Sequence, residues 1–297
     1  MEGAILVSGA DGFVGSHLLA VLGERARSLD GDVTDTQAMA DAVGRGEPVA
    51  LVHLAAGSSV GASWSDPGEA WRVNALGTVN VLEAVRTQAP DARVLVVSTG
   101  EVYGRAEELP TTEDAPVAPL SPYAASKAAA EVAAGQAQRS GLAVAVARAF
   151  QHEGPGRDER FAVGSWSAQI VRAEEAGGGT VQVGDLTARR DITDVRDVVR
   201  AYEALLDPSV PAGTYNVASG RAVAMHEVLD ILVGLAACPI EVERDPERLR
   251  PAELPVLSGD ASRLRTATGW TPTISLEQTL ADTLQAVRAA SERMASA

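Results

Sequence analysis

Ser121-Pro122-Tyr123-Ala124-Ala125-Ser126-Lys127 is the stretch whose residue types and spacing can do chemistry. A Ser and a Pro ahead of an alanine-rich run (Ala124, Ala125, Ala128, Ala129, Ala130, Ala133, Ala134) read as a helix start with Pro in its first turn. Tyr123 and Lys127 then lie one turn apart on one face. An ammonium near a phenol favours the phenolate and lowers its pKa, which eases proton transfer near neutral pH. On a surface helix the same pair would be two solvated neighbours, so the reading depends on what the remaining chain supplies.

The elements that must position this pair follow from the alternation of apolar runs and helical patterns. Ala4-Ile5-Leu6-Val7-Ser8 reads as a strand buried on both faces of a parallel sheet. It enters Gly9-Ala10-Asp11-Gly12-Phe13-Val14-Gly15, a G-x-x-G-x-x-G turn, and then a helical pattern over Ser16–Leu22. Glycines between strand and helix permit a tight turn, let a pyrophosphate approach the backbone and present it to a helix N-terminus. Dinucleotide binding is the expectation. The second strand is short, running from Arg25-Ala26-Arg27-Ser28-Leu29-Asp30 into Gly31-Asp32-Val33. Asp30 suits a ribose diol and so NAD, whereas Arg25 or Arg27 suits a 2′-phosphate and so NADP; the preference is open at this point.

A helix is expected over 35–44 and a buried strand over Val49–Leu54, ending in Ala55-Ala56-Gly57, small enough to leave room for a ligand. His53 reads as a core histidine. Residues 67–88 form a long helical pattern containing Asn74, with Trp64 and Trp71 near its start as core or interface packing. Arg93–Val97 makes a fourth strand, followed by Ser98-Thr99-Gly100-Glu101-Val102-Tyr103-Gly104. A hydroxyl at the carboxyl end of a central strand, as Thr99 is, points towards the place where cofactor and substrate meet. With Leu142–Arg148 as a further strand, residues 4–149 predict a doubly wound parallel sheet.

Beyond residue 150 the pattern changes to a Gly/Pro-rich loop at Phe150–Arg157, a charged run Arg157-Asp158-Glu159-Arg160 read as solvated, and a turn at Gly177-Gly178-Gly179 before a strand over Thr180–Val183. Helices are expected near 194–206, 223–236 and 275–294, joined by arginine-bearing loops suited to a diphosphate. The expected division is a dinucleotide domain over 1–150 and a smaller mixed α/β substrate-binding region over 151–297, with the chain free to cross back between them.

Charge and composition exclude several classes. The 297 residues carry a formal charge of −15 with no basic stripe, so nucleic acid and anionic membranes are poor partners. A single cysteine, Cys238, excludes an internal disulfide and reads as a small buried hydrophobe, and the four histidines have no metal spacing. The first strand starts too early for a signal peptide and no apolar run reaches spanning length, so a cytoplasmic protein is expected.

Taken together, the chain resembles the extended short-chain dehydrogenase/reductase superfamily, in its nucleotide-sugar-modifying branch. The matching blocks are Gly9–Gly15, His53–Ala56, Asn74–Thr78, Ser98–Gly104, Ser121–Lys127, Gly154-Pro155-Gly156, Arg189–Asp197, Tyr215-Asn216-Val217, Arg250-Pro251-Ala252-Glu253 and Leu257–Pro272. The C-terminal blocks look like the pair of GDP-mannose 4,6-dehydratases and GDP-6-deoxy-4-keto-mannose reductases, and the compact length is nearer the reductases.

The resemblance implies NADPH or NADH as cofactor, held by Gly9, Gly12, Phe13, Val14, Gly15, Asp30, Asp32, Val33, Leu54, Ala55, Ala56, Asn74, Tyr123 and Lys127. It implies Tyr123 as proton donor to a sugar carbonyl, Lys127 as its partner and ribose ligand, Thr99 as hydrogen-bond donor to the reacting oxygen, and Glu101 where dehydratases keep a base. Substrate contacts fall at Ser58, Glu101, Gln151, His152, Arg190, Arg250 and Glu253. Gln151 stands where the family usually has Asn. The expected activity is reduction of a GDP- or dTDP-linked 4-keto-6-deoxyhexose, with 4,6-dehydratase or epimerase as alternatives and a homodimer as the expected assembly. Retention of both Tyr123 and Lys127 argues against a non-catalytic dinucleotide sensor.

Overall fold

The computed structural model describes residues 3–248 and 254–295. Along the chain the strands are β1 (Ile5–Ser8), β2 (Ala26–Ser28), β3 (Ala50–His53), β4 (Arg93–Thr99), β5 (Val144–Ala149), β6 (Gln151–Glu153), β7 (Gly179–Val183), β8 (Arg189–Asp194), β9 (Gly213–Val217), β10 (Ala222–Ala224), β11 (Ile240–Arg244) and β12 (Val256–Leu257). The first helices are α1 (Phe13–Leu22), α2 (Thr36–Gly46), α3 (Val60–Ser65), α4 (Pro67–Trp71), α5 (Gly77–Gln88) and α6 (Pro122–Arg139). They are followed by α7 (Ala162–Ala176), α8 (Val195–Leu205), α9 (Met225–Gly234), α10 (Ser262–Thr268) and α11 (Leu276–Ala295).

Among the described residues the large sheet has the order β2-β1-β3-β4-β5-β9, and each neighbouring pair is parallel. A parallel sheet needs both faces covered. α1 and α8 cover one, where Leu18, Leu22, Val199, Tyr202 and Leu205 pack on Ile5, Val7, Val52 and Leu95. α2, α5 and α6 cover the other, with Met39, Val43, Val81, Val85 and Ala134 on Leu6, Leu51, Val94 and Val144. The doubly wound architecture is the one expected, and the chain returns from beyond residue 150 to supply β9. A smaller part joins β6, β8, β10 and β12, the β7–β11 pair and helices α7, α9 and α11 around Val163, Ile170, Val181, Leu229 and Leu280.

Several motif residues turn out to hold loops in place. Asp191 is fully buried and accepts hydrogen bonds from Ser219 N (2.8 Å), Ser219 Oγ (2.5 Å), Gly220 N (2.9 Å) and Gly259 N (3.2 Å). Asp197 accepts from Thr273 N (2.8 Å) and Ile274 N (2.9 Å), while Trp270 Nε1 donates to its carbonyl at 2.9 Å. A buried carboxylate is tolerable only when so many donors replace its water. The two aspartates thereby tie β8 and α8 to the C-terminal loops.

Four local expectations are corrected. The helix over 67–88 contains a π turn at Arg72–Leu76 between α4 and α5. Trp64 and Trp71 are 42% and 45% exposed, which sets aside core packing for them and leaves the interface alternative. Cys238 is half-buried, since α9 ends at Gly234 and the following loop lies near the surface. Arg157 leaves the solvated run, as described below. No helix among the described residues is long and apolar enough to cross a membrane.

Candidate active site

The glycine turn is built as its spacing requires. Gly9 has φ +69°, and a Cβ there would lie 2.8 Å from Ala55 N, so glycine alone fits both the backbone and the packing. A Cβ on Gly15 would strike the Gly9 and Ala10 carbonyl oxygens. Gly12 differs, being exposed, with only Gly9 O near its Cβ position at 3.2 Å. It is the N-cap of α1 and offers no capping side chain, which leaves the first-turn N–H groups of that helix free to meet an anion. An open glycine, bare helix N–H groups and a strand end beside them fit a dinucleotide pyrophosphate.

At the adenosine end the arginine alternatives narrow. Arg25 precedes β2, at the amino-terminal edge of the strands, and pairs there with Glu203 at 2.7 Å. It cannot reach a ligand at the carboxyl edge, which corrects its candidacy for a 2′-phosphate. Asp30 follows β2 on the carboxyl edge and is exposed, and Arg27 is exposed within β2. Asp32 turns on itself, accepting from Thr34 N (2.9 Å) and Thr34 Oγ1 (2.8 Å). Val33 is buried against Gly77.

The carboxyl ends of β3, β4 and β5 open into a cleft of about 510 Å³. Val14, Leu54, Ala56, Ser58, Thr99, Glu101, Tyr123, Lys127, Gln151, His152 and Arg190 line it, so half of the expected site residues converge there. Gly9, Gly12, Phe13, Gly15, Asp30, Asp32, Val33, Ala55 and Asn74 do not line it; the first four belong to the turn at its edge. Arg250 and Glu253 lie outside the described residues. Asn74 faces away from the cleft, its amide accepting from Gly57 N (2.8 Å) and donating to Ser126 Oγ (2.9 Å).

The helix start at Ser121 is as expected. Ser121 Oγ accepts from Ala124 N at 3.1 Å, Pro122 takes the first position, and Tyr123 and Lys127 share the cleft-facing side of α6. The proton chemistry differs from expectation. Lys127 Nζ donates to the Val97 carbonyl at 2.8 Å, and burial draws its pKa down to about 8. Tyr123 is pushed up, first by burial and then by the Glu101 carboxylate. The Thr99 hydroxyl, within hydrogen-bonding reach, and the Arg157 charge pull it back. Within the protein, desolvation therefore outweighs the cationic influences, and the phenol holds its proton.

On β6, Gln151 Nε2 donates to Glu153 Oε1 at 2.9 Å. Glu153 is fully buried, and its Oε2 lies 3.1 Å from Arg157 Nε. Arg157 lies over the rings of Phe161 (3.6 Å) and Phe13 (4.8 Å), and its side chain is only 10% exposed. His152 stacks on the same Phe13 at 6.2 Å, and His17 Nε2 meets the Pro155 carbonyl at 2.8 Å. Burial, helped by Arg157, draws His152 down to about 4 and leaves it neutral at pH 7. Arg190 Nη1 donates to Leu254 O at 2.7 Å. Arg248, from one of the arginine-bearing loops expected to meet a diphosphate, lines the cleft too, whereas Arg157, Phe161, Trp64, Ser165 and Tyr202 line it and were missed from sequence. Arg157 alone carried a signal, standing four residues after Glu153 and four before Phe161.

A family model described as GDP-mannose 4,6 dehydratase matches residues 21–283. GDP-6-deoxy-D-mannose reductase of Pseudomonas aeruginosa is 35% identical over 291 residues, covering 94% of this chain and 95% of that protein. GDP-mannose 4,6-dehydratase of Yersinia enterocolitica is 28% identical, covering 85% of this chain and 76% of its own length. The solved structure of RMD from Pseudomonas aeruginosa complexed with NADPH superposes with a TM-score of 0.89 at 34% identity, covering 97% of this chain and all of that one. With the glycine turn, the Tyr123–Lys127 pair and the cleft all present, the chain belongs to the GDP-mannose 4,6 dehydratase family of extended short-chain dehydrogenases/reductases.

Proposed function

We propose that this protein reduces the 4-keto group of a nucleotide-activated 4-keto-6-deoxyhexose, GDP- or dTDP-linked, with NADPH or NADH. The observation that carries this reading over the dehydratase is length: chain and reductase cover each other at 94% and 95%, whereas the dehydratase is covered over 76% of its own length.

In this reading residues 1–150 hold the dinucleotide, along α1 and the strand ends, and residues 151–297 supply the sugar-nucleotide contacts. The dinucleotide, when bound, supplies the hydride to the carbonyl carbon. Tyr123, kept protonated by burial and Glu101, gives its proton to the carbonyl oxygen, so the C=O becomes CH–OH. Thr99 donates a hydrogen bond to the same oxygen as charge grows there. Arg157 and Lys127 steady the phenolate left behind, and bulk water returns the proton. The protein acts in the cytoplasm and as a homodimer; the homodimer is supported by the apolar Trp71 (45% exposed), Leu76 (59%), Val79 (45%) and Val132 (70%) on α4, the π turn, α5 and α6.

The test is direct. Purified protein given a 4-keto-6-deoxy sugar nucleotide consumes NADPH mole for mole, and Tyr123→Phe lowers kcat by about 10³-fold. Conversion of GDP-mannose to a 4-keto product without added dinucleotide transfers the assignment to a dehydratase, with Glu101 as base. Interconversion of epimers without net NADPH consumption transfers it to an epimerase.

A further inference from the structure

A continuous buried hydrogen-bond chain runs beneath the cleft, and its components lie on five different elements. Ser8 ends β1 and is in register with His53, which ends β3. Ser8 Oγ lies 2.7 Å from His53 Nδ1, and His53 Nε2 lies 3.1 Å from Thr78 Oγ1. Thr78 Oγ1 donates to Asn74 O at 2.6 Å. The Asn74 amide donates to Ser126 Oγ at 2.9 Å, and Ser126 Oγ donates to the carbonyl of Tyr123 at 2.8 Å. Ser8, His53, Thr78, Asn74 and Ser126 are each no more than 2% exposed. At one end of the chain stands the turn that meets the dinucleotide, and at the other the residue that gives the proton.

The direction of every bond is determined. Ser8 Oγ accepts from Leu54 N and Ala55 N, both at 3.2 Å, which fills its lone pairs and sends its proton to His53 Nδ1. Thr78 spends its only proton on Asn74 O, so it accepts from His53 Nε2. Ser126 spends its proton on Tyr123 O, so it accepts from Asn74. Only a neutral histidine protonated at Nε2 completes this chain. An imidazolium or the other tautomer would face a donor with a donor.

The π turn at Arg72–Leu76 belongs to the same device. There Gly77 N bonds to Arg72 O, skipping one residue relative to an α-helix. The Asn74 carbonyl is taken by the Thr78 hydroxyl and its amide by Gly57 and Ser126. Single π turns inserted in helices are frequent at functional sites.

We propose that His53, as the Nε2–H tautomer, is a positioning residue that locks the dinucleotide turn and the Tyr123–Lys127 helix into one register through Thr78, Asn74 and Ser126. It touches neither ligand. A hydride donor and a proton donor that approach one carbonyl from different elements must be held to a fraction of an ångström, and this chain joins those elements through polar groups with one permitted arrangement. The turnover arm of the test rests on the reductase reading, and the tautomer arm does not.

Two measurements decide it. In protein labelled with ¹⁵N at histidine, the His53 ring, assigned by its loss in His53→Gln, shows Nδ1 as a bare acceptor and Nε2 as protonated near neutral pH. An Nδ1–H ring or a doubly protonated one overturns the proposal. Thr78→Val, which deletes the hydroxyl at nearly constant shape, lowers kcat about tenfold per correctly folded site, with the KM for the keto sugar within about twofold. Thr78→Ser, which restores the hydroxyl, returns kcat to within about twofold. A purely structural role gives lower thermal stability in Thr78→Val with unchanged kcat per folded site, and that result, or equal kcat in the Val and Ser variants, overturns it. Absence of turnover in the parent protein would sink the reductase reading and leave the tautomer result to stand or fall alone.

Discussion

At the scale of single residues the site is governed by desolvation. Lys127 carries a charge where burial disfavours it; its ammonium donates to Val97 O at 2.8 Å, and the Glu131 carboxylate favours the charge more weakly than burial opposes it. Its pKa of about 8 sets the sign of two effects. Activity that needs the ammonium falls as pH rises through about 8, so the basic limb of the kcat profile lies there, well below the ordinary lysine value of 10.5. Stability moves the other way: between about 8 and 10.5 the unfolded lysine binds more protons than the folded one, so this group's contribution to stability increases with pH across that window. A pH–rate profile with a basic limb near 10.5 would exclude Lys127 as the group responsible. His53 and His152 make no such limb at neutral pH, because desolvation draws His53 to about 3 and His152 to about 4.

At the scale of elements, the glycine turn separates two roles that share one spacing. Gly15 is required by packing of α1 against the turn, whereas Gly12 leaves an open face. Gly15→Ala therefore lowers unfolding free energy by about 3 kcal/mol, read by chemical denaturation, because the new methyl overlaps two carbonyl oxygens. Gly12→Ala leaves the melting temperature within a few degrees and weakens NADPH binding at least tenfold, read by isothermal titration. Equal stability losses in both variants would show that the turn is a packing device only. The Arg157 clamp belongs to this scale too. Its guanidinium, over Phe13 from α1 and Phe161 from the start of α7, fastens the glycine turn to the loop that follows β6.

At the scale of the whole molecule, the long connections are made by buried carboxylates and by a chain that doubles back. β9 returns to the large sheet after the excursion through β6, β7 and β8, and Asp191 and Asp197 fix loops that follow it. Outside the chain's own packing, Val132 on α6 and Leu76 beside α5 remain 70% and 59% exposed. Val132→Glu and Leu76→Glu, each on a surface that the monomer does not bury, convert a dimer into a monomer with unchanged fold. Sedimentation velocity checks this, and a parent protein that sediments as a monomer removes the dimer from the account.

The amino-acid sequence by itself determined what depends on neighbours along the chain. The alternation of buried strands and helical patterns, the glycines at one strand end, the Ser-Pro start of α6 and the one-turn spacing of Tyr123 and Lys127 all follow from local sterics and periodicity. Tertiary structure decided what depends on distant partners and on burial. It placed Arg25 at the wrong end of its strand for a ligand and turned the Asn74 amide inward. It drew Arg157 out of an apparently solvated run on to two aromatic rings. It also raised the phenol that its neighbouring lysine was expected to lower. The reason is the same in each case: packing brings together groups far apart in sequence and removes the water that would otherwise make their charges interchangeable.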